Sequence, residues 1–269
     1  MPIPERLQPH LAQARGRARE ARPDLATGNL QAMRERLIVA LDVPAAKAAE
    51  DLVDRLEGTC RWFKVGLELF TAAGPAIVEK LEKRGLRVFL DLKFHDIPNT
   101  VAGAVRSAAR LGVGMMTVHA AGGPAILAAA REALEGMDKP PQLLAVTVLT
   151  SMDAAQLRAA GMARAPAKQV ELLAKAALKA GVRGFVCSPQ EVARVRALAG
   201  PEGVIVVPGI RPAGAKAGDQ RRIATPAKTL RAGASYLVVG RPITQALNPV
   251  EAAQEILQEM AKAVPPLAV

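Results

Sequence analysis

Residues 91 to 100 read Asp-Leu-Lys-Phe-His-Asp-Ile-Pro-Asn-Thr, and their charges stand where a core element should end. Asp91, Lys93 and Asp96 come directly after Leu86, Val88, Phe89 and Leu90, a run with the pattern of a buried strand. Side chains alternate across a strand, so Asp91 and Lys93 should point the same way. Burying an ion costs several kcal/mol unless it is paired. An acid, a base and an acid at such a point therefore suit a site for electrostatic or acid–base chemistry better than a core. His95 reads as a turn residue between charges that already form the network. His119 reads as a structural histidine ending a buried strand. No metal site is expected, because His10, His95 and His119 form no ligand spacing. Carboxylates at Asp42, Asp91 and Asp96 could hold Mg²⁺, but Lys64 and Lys93 already neutralise that charge.

The elements that must position these groups follow a simple alternation from Leu37 onward. Apolar runs at 37–41, 62–66, 86–90, 113–118, 143–149, 182–187, 203–207 and 235–239 read as strands. Ala-rich stretches at 44–57, 71–84, 98–111, 122–135, 166–180, 189–199, 222–232 and 248–263 read as helices. Eight such units in about 230 residues predict an α/β fold, a (β/α)8 TIM barrel over 37–269. An open doubly wound sheet rarely has so many regular units, and no Gly-x-Gly-x-x-Gly follows the first strand. Residues 1–36 read as an N-terminal extension with one amphipathic helix, since Leu7, Leu11, Ala14 and Ala18 fall at helical spacing among Arg15, Arg17, Arg19 and Arg22. Pro23 to Asn29 reads as a break.

Barrel enzymes carry their chemistry at the C-terminal ends of strands. Here those ends bear Asp42, Lys64, the pair Asp91 and Lys93, His119, Thr150 with Ser151, and Ser188. The last two strands lead into Pro208-Gly209-Ile210-Arg211 and Gly240-Arg241-Pro242. Loops after strands 7 and 8 often bind phosphate. Gly209 and Gly240 let backbone approach closely, and Arg211 and Arg241 can take phosphate oxygens bidentately.

Composition narrows the field. Half of the 269 residues are hydrophobic but only 3 % are aromatic, so the core must be aliphatic. No uncharged apolar stretch of about 18 residues exists, which argues against a membrane span. The first 30 residues lack a secretory apolar region. Cys60 and Cys187 lie far apart and read as buried small hydrophobes of a reduced, cytoplasmic protein. A net charge of +11 can draw in a small anionic substrate. Nucleic acid is not expected as a partner, since no sustained basic block exists and one Trp, one Tyr and five Phe offer few stacking platforms.

Taken together, Asp91-x-Lys93-x-x-Asp96-Ile97-Pro98-x-Thr100 resembles the signature of the orotidine 5′-phosphate decarboxylase family. The similarity extends through Ala40-Leu41-Asp42, Phe63-Lys64-Val65-Gly66, Val148-Leu149-Thr150-Ser151, Pro208-Gly209-Ile210-Arg211, Gly218-Asp219-Gln220 and Val239-Gly240-Arg241-Pro242. It covers essentially all of 37 to 260, and the N-terminal extension is the departure. The resemblance implies a cofactor-free decarboxylation in UMP synthesis, by a homodimer with shared active sites. It implies ribose contacts from Asp42 and Lys64, a C6 carbanion stabilised and protonated by Lys93, and Asp91 facing the substrate carboxylate. Asp96 and Thr100 would reach the partner's site. Thr150 and Ser151 would meet the pyrimidine, Arg211, Gln220, Gly240 and Arg241 would hold the phosphate, and Pro208 would also contact the substrate. The nearest rival resemblance is to Mg²⁺-dependent barrels such as 3-keto-L-gulonate 6-phosphate decarboxylase and hexulose phosphate synthase. These share the D-x-K-x-x-D run but fit less well at Ile97-Pro98-Asn99-Thr100.

Overall fold

The apolar runs lie side by side in chain order, each parallel to the next, and the last strand returns to the first to close the sheet. The strands are β1 (Leu37–Ala40), β2 (Trp62–Gly66), β3 (Arg87–Phe94), β4 (Met115–His119), β5 (Gln142–Val146), β6 (Gly184–Val186), β7 (Val204–Val207) and β8 (Tyr236–Val239). This computed structural model describes residues 25–212 and 222–263, and over them the expected (β/α)8 barrel is the fold. The helices are α1 (Leu25–Arg34), α2 (Ala46–Leu56), α3 (Leu67–Ala73), α4 (Pro75–Lys83), α5 (Pro98–Ala109) and α6 (Pro124–Glu132). They continue with α7 (Ala154–Ala159), α8 (Pro166–Lys179), α9 (Val192–Ala199), α10 (Pro226–Arg231), α11 (Arg241–Thr244) and α12 (Pro249–Ala263). Several begin on proline, as at Pro75, Pro98, Pro124, Pro166 and Pro226. The ring fixes a helical φ, and the missing N–H is one the first turn does not use.

The period-2 alternation of the strands divides the core into two parts. Leu37, Val39, Phe63, Val65, Val88, Leu90, Met116 and Val118 face outward and pack with the helices. Ile38, Ala40, Trp62, Phe89, Met115, Leu144, Val206 and Val238 face inward and fill the barrel. The barrel floor is thus a packed apolar plug, and anything polar on the inward positions lies above it.

Five local features differ from expectation. β3 does not stop at Leu90 but runs to Phe94, so Asp91 and Lys93 lie within the strand. Its register against β4 shifts between Leu90 and Phe94. The helix expected at 71–84 is two helices, α3 and α4, hinged at Gly74 with φ +64°. β5 ends at Val146, leaving Thr150 and Ser151 on a loop. α10 starts only at Pro226, where the Thr225 hydroxyl accepts from the Lys228 N–H. Finally, the break expected from Pro23 to Asn29 does not hold from Leu25 onward, because α1 begins there. Gly28 and Asn29 are weak helix formers, but packing overrides propensity: Asn29 Nδ2 donates to the Ala261 carbonyl of α12 at 2.7 Å. The amphipathic helix expected within residues 1–24 lies outside the described residues.

Candidate active site

Toward the C-terminal mouth the inward positions turn from apolar to polar. Ala40 is succeeded by Asp42, Trp62 by Lys64, Phe89 by Asp91 and Lys93, and Met115 by Thr117. Four of these groups form a row of alternating charge. Lys64 Nζ donates to Asp42 Oδ1 at 2.7 Å and stands 3.8 Å from Asp91 Oδ2. Lys93 Nζ donates to both Asp91 oxygens, at 2.9 and 3.0 Å. Lys64 is only 8 % exposed, and these carboxylates offset the cost of burying its ammonium group. A second donor completes Asp91, where the Thr117 hydroxyl reaches Oδ1 at 3.1 Å.

Thr117 also explains how β3 tolerates its bend. Lys93 has φ +51°, the only positive φ at a non-glycine among the described residues. That region costs an L-residue roughly 1–2 kcal/mol. The bend breaks the ladder to β4, and the Lys93 N–H donates to Thr117 Oγ1 at 2.8 Å in place of a strand carbonyl. Thr117 is fully buried. Sequence reasoning passed over it, although a hydroxyl between Met116 and Val118 on an inward position was the available signal.

The row borders two adjoining hollows that share Asp42, Lys64 and Pro208. One, of about 390 Å³, is lined by Asp91, Lys93, Thr150, Ser151 and apolar side chains that include Val146 and Val148. The other, of about 310 Å³, is lined by Gly209, Arg211, Gly240, Arg241, Thr244 and Gln245. Arg211 is buried, and its Nη1 donates to the Ile210 carbonyl at 2.8 Å. Burial, and then the charge of Arg241, lowers its pKa from the ordinary arginine value. Two guanidinium groups bordering one hollow give it the donors and charge that suit an anion. Gly209 turns the chain into this hollow with φ +78°. Gln220 lies outside the described residues.

Other expected site groups stand apart. Asp96 and Thr100 are exposed on the entry to α5, and Asp96 Oδ1 accepts from the Ile97 N–H at 2.7 Å. Ser188, counted above among the strand-end groups, does not face the mouth. It is fully buried and donates its hydroxyl to Glu191. His119 caps the turn after β4 by accepting from the Ala121 N–H at 3.2 Å, and it stacks on His95 at 5.2 Å between ring centroids. Burial, then the charges of His95 and Lys93, lowers its pKa, which fits the structural reading. Cys60 and Cys187 are buried free thiols. Burial pushes Cys60 up to about 12 and Cys187 well above the ordinary thiol range, so neither is equipped as a nucleophile. Among the described residues no three His, Cys, Asp or Glu side chains are grouped to hold a metal ion, and no helix is long and apolar enough to cross a membrane.

Known proteins resemble this chain over most of its length. A curated orotidine 5′-phosphate decarboxylase from Moorella thermoacetica is 56 % identical over 233 residues, covering 84 % of this chain and 92 % of its own. One from Saccharophagus degradans is 53 % identical over 228 residues, covering 85 % and 96 %. The crystal structure of orotidine 5′-phosphate decarboxylase from Lactobacillus acidophilus superimposes with a TM-score of 0.73 at 39 % identity, covering 84 % of this chain and 98 % of that one. The matched family profile spans residues 35–256, from just before β1 into α12, and so takes in every group of the charged row. By fold, by the whole extent of the barrel and by close relatives, the chain belongs to the orotidine 5′-phosphate decarboxylase / HUMPS family.

Proposed function

We propose that this chain decarboxylates orotidine 5′-monophosphate to uridine 5′-monophosphate with its own side chains, using no metal or organic cofactor. The observation that carries the reading is the row Asp42–Lys64–Asp91–Lys93 at the junction of two hollows, one bordered by Arg211 and Arg241. The names of the relatives supply the substrate.

In this reading the phosphate enters the basic hollow, held by Arg211, Gly240 and Arg241, with Pro208 at its edge and Gln220 from the loop after β7. Asp42 and Lys64 meet the ribose, and the pyrimidine lies against Thr150 and Ser151. The substrate carboxylate then points at Asp91 and Lys93. The bond from C6 to the carboxylate breaks, its electron pair stays on C6, and CO₂ leaves. No conjugated sink takes up that pair, so a fixed ammonium beside C6 supplies the stabilisation. Preorganised charge of this type is usually the largest catalytic contribution. Lys93 then gives its proton to C6. Asp91 aims that ammonium and faces the departing carboxylate, a repulsion whose share in catalysis is contested. The phosphate is remote from the bond that breaks, and its binding energy can be spent on ordering the site.

Asp96 and Thr100 complete a neighbour's site in a homodimer. Supporting this, both are exposed beside Ile97, itself 66 % exposed. The Mg²⁺-dependent reading is not favoured, because Lys64 stands between the carboxylates of Asp42 and Asp91 that would have to bind the ion. The deciding measurement is CO₂ release from orotidine 5′-monophosphate with excess EDTA. Undiminished turnover is expected, and loss of activity on chelation would favour the metal-dependent class. For the shared site, Lys93→Ala and Asp96→Ala proteins, each inactive, should recover partial activity when mixed. No recovery in subunits shown to exchange would refute sharing.

A further inference from the structure

Behind the mouth, among residues that line neither hollow, lies a buried polar cluster that the reaction above does not use. Arg222 is 5 % exposed and Glu191 3 %. Arg222 Nη1 donates to Glu191 Oε1 at 2.6 Å, and the Ser188 hydroxyl donates to the other Glu191 oxygen. Arg222 Nη2 donates to the carbonyls of Val148 and Leu149, at 3.1 and 2.9 Å. The chain after β5 has left the sheet there, and those carbonyls have no strand to accept from. The same loop is tied at both ends. Thr147 donates its N–H and its hydroxyl to the Val186 carbonyl, at 3.1 and 2.9 Å. Asp153 opens α7 with a capping box formed with Gln156. In the middle, which leads into Thr150 and Ser151, the Leu149 carbonyl also accepts from the Met152 N–H at 2.9 Å within the loop, and Arg222 ties both carbonyls to the segment before α10.

A buried ion pair is a poor means of stabilising a fold, since well-packed apolar residues of similar volume often do as well or better. It is a good means of fixing direction, because a planar guanidinium aims its donors along set lines. We infer that Arg222, held by Glu191 and Ser188, is a positioning residue for the wall of the site that faces the base: it fixes the Val148 and Leu149 carbonyls and thereby sets Thr150 and Ser151 against the pyrimidine. The inference rests on the proposed function for what that wall meets. The basic hollow is lined by other residues, so recognition of base and of phosphate should come apart when Arg222 is changed.

The test compares inhibition by uridine 5′-monophosphate, which carries the base, with inhibition by ribose 5-phosphate, which lacks it. In Arg222→Ala the inhibition constant for the nucleotide should rise about tenfold, the size of one lost charge-assisted interaction, while that for ribose 5-phosphate changes less than about twofold. Arg222→Lys should restore part of the difference. Added guanidinium ion should rescue Arg222→Ala. Equal losses for both inhibitors, or no loss for either, would overturn the inference. Should Arg222→Ala fail to fold, Arg222→Lys and Ser188→Ala decide by the same ratio. Wild-type turnover of orotidine 5′-monophosphate is the control that separates the two claims. If wild type releases no CO₂ the proposed function falls, whereas turnover with an unchanged ratio in the variants removes only the role of Arg222.

Discussion

The two mouths of the barrel are both rich in cations, and they use them differently. At the N-terminal mouth Arg36 donates to the carbonyls of Ala234 and Ser235, at 2.7 and 2.9 Å. Arg196 gathers the carbonyls of Gly200, Gly203 and Gly233 and the Ser235 hydroxyl. Arg87 lies 4.7 Å over the Trp62 ring, which meets Tyr236 edge-on. These cations fasten backbone and rings. At the C-terminal mouth Lys64 and Lys93 meet carboxylates, in a row open to a ligand along one side. The N-terminal mouth even has the larger hollow, about 790 Å³ against 390 and 310 Å³. Size therefore does not mark the site here. What the charges are spent on does.

The contrast is sharpest in Lys93→Ala, which should lower kcat/KM by at least roughly a thousandfold, the upper range for one removed electrostatic group. Its thermal midpoint should stay near that of wild type. A variant that unfolds instead would show that the C-terminal row is structural too, and near-normal turnover would sink the mechanism. At the other mouth, Arg196→Ala should cost about 2–3 kcal/mol of stability in denaturant titration, as several charge-assisted bonds are lost. Its kcat per folded molecule should be unchanged, and a specific loss of turnover would blur the distinction. The smallest effect is expected at Gly66. A Cβ there would sit 2.7 Å from Lys64 Nζ and 3.1 Å from Asp42 Oδ1. Gly66→Ala should push the flexible lysine tip aside, lowering kcat about tenfold, or ~1.4 kcal/mol, with little change in stability. An unaltered kcat would mean that the first pair of the row can shift freely.

Much of this was legible in the chain. Eight short aliphatic runs, each followed by an Ala-rich stretch of helical pattern, gave the barrel, because the order of apolar residues distinguishes strand from helix. Asp42, Lys64, Asp91 and Lys93 stood out because an ion beside a strand core has few uses other than a site. Thr117 did not, since threonine is an ordinary strand residue and its task arises only from the bend opposite it. Arg222 and Glu191 were invisible for another reason. Each is one charged residue within a stretch of helical pattern, and their burial depends on partners 31 and 74 positions away. Ser188 misled because a strand end may turn either inward or outward, and β6 is only three residues long. The extension misled because Asn29 finds its partner in the last helix, beyond any local pattern.

The left-handed backbone of Lys93 has a consequence for how the protein would drift under selection. Folding alone would choose glycine or asparagine there, since both accept that conformation at lower cost. A library screened only for thermal resistance should discard Lys93 early, gaining up to about 1 kcal/mol by Lys93→Gly. A library screened for uracil prototrophy should never lose it. On the proposed mechanism, stability and chemistry thus pull in opposite directions at one residue.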